Sequence, residues 1–197
     1  MKAILPVGLI AIGFMVAVVG CGSQAAHELG PSSSVQGHSA NPIPVVKSPR
    51  NIAALASRPC ALLTAQQVGA FGLDLPPRQY NAELGDVGCE WTNVTRDRRI
   101  NRRVQIDTFT NNPTLEIGYQ QDQGRPFFEL TEIIGYPALV SRPLADQPIC
   151  DVDVKTADRQ RFSLTYESKE FARDPQQACV VAKQIAAAVL MNLPLKG

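Results

Sequence analysis

Residues 150–155 read Cys-Asp-Val-Asp-Val-Lys, and residues 162–166 read Phe-Ser-Leu-Thr-Tyr. In the first run Cys150, Val152 and Val154 alternate with Asp151, Asp153 and Lys155. In the second, Phe162, Leu164 and Tyr166 alternate with Ser163 and Thr165. Side chains of a strand point to opposite faces in turn, so a period of two means one buried and one wetter face. Ala157-Asp158-Arg159 supplies a turn between the runs. The pair predicts an antiparallel hairpin in a sheet whose apolar face is covered by helices, and hence an α+β fold.

Working outward, Asp174-Pro175 opens the longest helix, with Gln177 as capping-box partner, and Pro194 stops it after Asn192. Val181, Ile185 and Val189 form its apolar stripe, and its alanines permit close packing. Upstream, Ile133-Ile134 and Ala138-Leu139-Val140 read as one strand bent at Gly135-Tyr136-Pro137. Asn112-Pro113 reads as an N-cap and first helical residue, with Leu115 and Tyr119 on one face; Gly118 weakens that helix. Cys89–Asn93 and Arg103–Thr110 read as paired strands. Before them, Thr64 and Gln67 form a capping box, Leu63 and Val68 stand at staple positions, and Gly72 ends the helix in a left-handed conformation. The expected order is α-β-β-α-β-β-β-α.

The N-terminus has another character. After Met1-Lys2, residues 3–19 form an uncharged apolar run that closes on Val18-Val19-Gly20-Cys21. That pattern is a bacterial lipobox: residues 1–20 are expected to be a signal peptide, and Cys21 the lipidated mature N-terminus. An uncleaved anchor is the other reading, since about 18 apolar residues can just span a bilayer. Either places the protein at the extracytoplasmic face of the cell membrane. Residues 21–57 carry Ser32-Ser33-Ser34, Pro31, Pro42, Pro44 and Pro49 and no aromatic residue. They are expected to be a disordered tether ahead of a globular domain at 58–197.

Four cysteines remain in the domain: Cys60, Cys89, Cys150 and Cys179. An even set in an exported chain implies disulfides, with three possible pairings. Cys60–Cys89 and Cys150–Cys179 are preferred, because each pair is close in sequence and joins a helical region to a strand. Zinc would favour short spacings such as C-x2-C, which are missing. Pro59-Cys60-Ala61-Leu62-Leu63-Thr64, Gly88-Cys89-Glu90-Trp91 and Gly135-Tyr136-Pro137-Ala138 together resemble a family of actinobacterial lipoproteins, the domain of unknown function 3558. The resemblance runs from Arg58 to about Leu193 and departs at Gly135-Tyr136-Pro137, where a Gly-acid pattern is more usual. It implies a fold and a location, and no activity.

Chemistry is bounded mainly by exclusion. His27 and His38, the two histidines, both lie in the tether, so triads and histidine-ligated metals in their usual forms are excluded from the domain. No glycine-rich phosphate loop is present. A formal net charge of +1 gives no global pull towards nucleic acid. Arg96, Arg98, Arg99, Arg102 and Arg103 read as a charged hairpin that discourages edge pairing, or as a patch for anionic headgroups. Trp91 reads as core. Asp151 and Asp153 share a face as a glycosidase or calcium site might require, though a solvated face explains them too.

The expected function is therefore a binding module for an envelope partner, with no cofactor or metal. A carrier of a hydrophobic ligand comes next, and a carboxylate-based hydrolase third. The ranking predicts an apolar main concavity and no buried ionisable pair in a cleft. A deep polar cleft with two converging carboxylates, one shifted strongly upward, would put hydrolysis first.

Overall fold

The computed structural model describes residues 43–83, 87–94, 100–111 and 115–197. The expected signal peptide at 1–20, Cys21, both histidines, Arg96, Arg98, Arg99 and the expected Asn112-Pro113 cap lie outside them. Seven strands form one antiparallel sheet in the order β1-β2-β3-β7-β6-β5-β4. They are β1 (Arg78–Tyr80), β2 (Gly88–Val94), β3 (Ile100–Phe109), β4 (Phe127–Ile133), β5 (Tyr136–Arg142), β6 (Ile149–Ala157) and β7 (Gln160–Ser168). Helix α1 (Ala65–Ala70) precedes them, α2 (Leu115–Asp122) connects β3 to β4, and α3 (Gln177–Asn192) ends the chain's regular structure.

The element order thus differs from the expected one in two places. Strand β1 is only three residues long and mostly exposed, so it carries no alternation to detect. The strand expected to bend at Gly135 is two strands, β4 and β5, closed by the pair Ile133↔Tyr136. Ile134 (φ 44°) and Gly135 (φ 84°) both sit at positive φ, the conformation of a tight two-residue hairpin loop. β4 is an edge strand, half-buried on both faces, so its pattern is muted. β5 is buried at every position and reads as a continuous run.

The inner face of the sheet holds the core. Val104 and Ile106 of β3, Cys150, Val152 and Val154 of β6, and Phe162, Leu164 and Tyr166 of β7 pack under α3, which contributes Ala182, Ile185, Ala186 and Val189. Trp91 is fully buried in this core. Two disulfides staple the same side: Cys60–Cys89 ties the 3-10 turn Pro59–Leu62 to β2, and Cys150–Cys179 ties β6 to α3. The capping box of α1 is formed as expected, Thr64 N–H donating to Gln67 Oε1 (2.8 Å) and Gln67 N–H to Thr64 Oγ1 (3.3 Å). Gly72 takes φ 67° at the helix end. Helix α3 begins later than its sequence suggests: 3-10-type bonds from Gln177, Ala178 and Cys179 lead into it, and the Asp174 carboxylate accepts from the Gln177 side-chain amide instead of capping a backbone N–H.

Packing also begins earlier than residue 58. Ile43, Val46 and Ile52 are buried, and Arg50 is held by Tyr136 Oη (3.0 Å), the Leu193 carbonyl and backbone bonding to Thr156. Tyr136 in turn donates to the Ser48 carbonyl at 2.6 Å. Residues 43–57 therefore form an arm laid beside the C-terminal tail, bridged at Arg50↔Leu195. Single apolar residues spaced irregularly among prolines anchor it, and no periodic pattern announces such an arm.

Candidate functional site

Outward-facing positions of the central strands line up in cross-strand rows. Asp107 of β3 opposes Ser163 of β7, which opposes Asp153 of β6. In the next row Gln105 opposes Thr165, Thr165 opposes Asp151, and Asp151 opposes Ser141 of β5. This face is polar because the alternation that buries Val152 and Leu164 on one side must present Asp and Thr on the other. Helix α2 covers only the β5–β6 part of it. Leu115 and Tyr119 pack there with Leu139, Phe128, Leu130 and Ile43. Gly118 explains itself in this contact, since a Cβ there would lie 3.3 Å from Leu139 Cδ1.

Both ends of α2 are pinned by charge. Near its start Glu116 pairs with Lys155 of β6 at 3.1 Å. Beyond its end Arg125 spans Asp122 (2.9 Å), Ser141 (3.0 Å) and Asp151 (2.6 Å), and Ser141 Oγ donates to Asp122 at 3.1 Å. Between α2 and the open half of the sheet lies a cleft of about 760 Å³. The outer rows floor it, α2 forms one wall, and Tyr80, Asn81 and Glu83 form the opposite rim.

Tyr80 reaches the floor by a specific device. Gly88 stands between Tyr80 and Asp107 in the register, and a Cβ there would fall 2.5 Å from Tyr80 Cζ and 2.4 Å from Asp107 Oδ1. Without that Cβ the phenol crosses β2 and donates to Asp107 Oδ1 at 2.7 Å. Burial, followed by the Asp107 carboxylate, pushes the Tyr80 pKa up. Burial also raises Asp107, with the Tyr80 bond and Arg161 pulling the other way.

Asp153 is the most perturbed carboxylate of the cleft. Burial pushes it up to about 6, against the opposing pull of Arg161, while neighbouring Asp151 adds to the rise. Its side chain is 15% exposed and pairs with Arg161, whose guanidinium also stacks 3.7 Å from the Phe109 ring centroid. Asp151, by contrast, is clamped by Arg125 and by Thr165 Oγ1 (2.7 Å).

The structure corrects two expectations here. Polar residues, not apolar ones, make up most of the cleft lining, and the cleft holds a half-buried ion pair, Asp153–Arg161. Asp151 and Asp153 do share a face, but each is held by its own arginine instead of standing in solvent. Asp107, Ser163, Thr165, Tyr80 and Arg161 were not singled out from sequence. Their signal lay in three strands whose outward positions are all polar, legible only once the strands are placed side by side. Arg102 and Arg103 lie apart from the cleft lining; Arg102 pairs with Glu170 (2.6 Å), holding that carboxyl below its usual range, and Arg103 neighbours Glu90 and Glu167. Among the described residues no three His, Cys, Asp or Glu side chains gather as a metal site, and no helix is long and apolar enough to cross a membrane.

The chain belongs to the family described as protein of unknown function (DUF3558), whose model matches residues 16–192. No curated protein and no solved structure matches the chain.

Proposed function

We propose that this family member is an actinobacterial lipoprotein, anchored through Cys21 at the extracytoplasmic face, whose domain binds a polar envelope ligand in the cleft between α2 and the open half of the sheet. The observation that carries the binding reading is the cleft itself: its volume of about 760 Å³ falls within the range of small-molecule sites, and hydrogen-bonding groups floor it. Ion pairs already fix α2 against the sheet, so this wall of the cleft is preorganised and a ligand need not order it. A polar floor argues against the hydrophobic-carrier reading, which needs enclosed apolar surface.

Hydrolysis moves ahead of that carrier, because Asp153 and Asp107 are both shifted upward in one cleft. It stays second for a geometric reason. The two residues lie two strands apart, about 10 Å between backbones, and each is engaged by a partner of its own.

Thermal melting with a panel of neutral, cationic and anionic polar solutes plus a fatty acid tests the binding reading. A ligand at 100 times its Kd stabilises by about 2.7 kcal/mol, so a polar member is expected to raise Tm. Stabilisation by the fatty acid alone would sink the reading. The anchor is tested separately: Cys21→Ala is expected to abolish metabolic labelling by a clickable palmitate, and unchanged labelling contradicts it.

A further inference from the structure

The chemistry of the cleft narrows the ligand class. Its lining carries the carboxylates Glu83, Asp107, Asp122 and Asp153 and two guanidiniums, Arg125 and Arg161. The whole chain has a formal charge of +1, so this acidic excess is local and does not reflect the protein at large. What decides the class is which of these groups are already committed. Arg125 is bound to Asp122, Ser141 and Asp151. Arg161 is stacked on Phe109 and paired with Asp153. Releasing either guanidinium for an anionic ligand would leave a half-buried carboxylate uncompensated, which costs more than an exposed pair returns.

Acceptors are differently placed. Asp107 takes one hydrogen bond on Oδ1 from Tyr80, and its second oxygen takes none from the described residues. Glu83 stands exposed on the rim without an ion pair among the described residues. The cavity thus leaves negative charge open while both of its cations are committed, and the Asn81, Gln105 and Gln121 amides of its lining are neutral.

Resting on the cleft reading above, we infer that the ligand is a cation, an amine-bearing molecule whose ammonium sits against Asp107 with Glu83 at the entrance. An ammonium has three donors and no acceptor, the complement of what the cleft leaves open. It also lowers the cost of keeping Asp107 ionised while half-buried.

Calorimetry on the full domain with trilysine, its Nε-acetylated counterpart and maltotriose tests the inference. Nε-acetylation removes the side-chain charges, leaving one α-ammonium offset by the C-terminal carboxylate, and keeps the peptide backbone. The expected result is that trilysine binds at least tenfold tighter than the acetylated peptide. Asp107→Asn should weaken it about tenfold, and Glu83→Gln, a surface change that leaves folding alone, severalfold. Equal or tighter binding of the acetylated peptide or of maltotriose would overturn the cationic class while leaving the cleft as the site. Binding by none of the three overturns the inference, and the solute panel then decides the cleft reading on its own.

Discussion

The two faces of the sheet are made by the same strands and are built on opposite principles. On the inner face β6 and β7 present Cys150, Val152, Val154, Phe162 and Leu164 to α3, all buried, and a disulfide joins the layers. On the outer face the alternate residues of those strands are Asp151, Asp153, Arg161, Ser163 and Thr165, organised by ion pairs and only half roofed by α2. Non-directional apolar burial holds the first face. Directional polar contacts hold the second, and these leave room for a ligand. Stability and binding are thus assigned to opposite sides of one sheet.

The largest effect expected from breaking that division is on the inner face. Replacing Cys150 and Cys179 together by alanine should cost on the order of 2–5 kcal/mol, read by denaturant unfolding. The ligand preference of the remaining folded protein should stay the same. A change in preference without loss of stability would erase the distinction between the faces.

Next comes the pH dependence of the outer face. The Asp153 pKa is raised from 3.8 to about 6, so between these values the folded state holds more protons than the unfolded state. Stability from this group is therefore fully present below about pH 4, and it falls as pH rises through 6, by on the order of 2–3 kcal/mol. Asp107 acts with the same sign, and Glu170, whose pKa is lowered, with the opposite one. In Asp153→Asn that fall should disappear. Arg161 keeps its charge throughout, so its lost partner adds only a pH-independent offset. Parallel pH curves for wild type and variant would contradict the burial of Asp153.

Much of the inner face was legible in the sequence, because burial writes itself as period two in β6 and β7 and as a stripe in α3. Cysteine spacing suggested the staples, and both disulfides form as preferred. The outer face was not legible in the same way. Asp151 and Asp153 look solvated in one dimension, and only the register Asp107↔Ser163↔Asp153 turns them into the floor of a cleft. β1 and the arm at 43–57 escaped because three exposed residues and a few isolated anchors carry no period.

Two smaller effects sharpen the comparison. Gly88→Ala should expel the Tyr80 phenol and cost about 1–3 kcal/mol by overpacking. Tyr80→Phe, which loses only the bond to Asp107, should cost about 1 kcal/mol. Equal costs would mean that Gly88 is not the passage for the phenol. Far from both faces, Ile134 holds positive φ at an exposed hairpin tip. Ile134→Asn should stabilise by about 1 kcal/mol, because a β-branched residue resists that conformation; a loss of stability would mean that its side chain packs.

The outer face as the ligand site is tested most directly by amide NMR during titration with trilysine. Shifts are expected at Gln105, Asp107, Ser163 and Thr165 and along α2, while Ala182, Ile185, Ala186 and Val189 of α3 stay still. Shifts concentrated on α3, or none on the outer rows at saturating probe, would contradict the account.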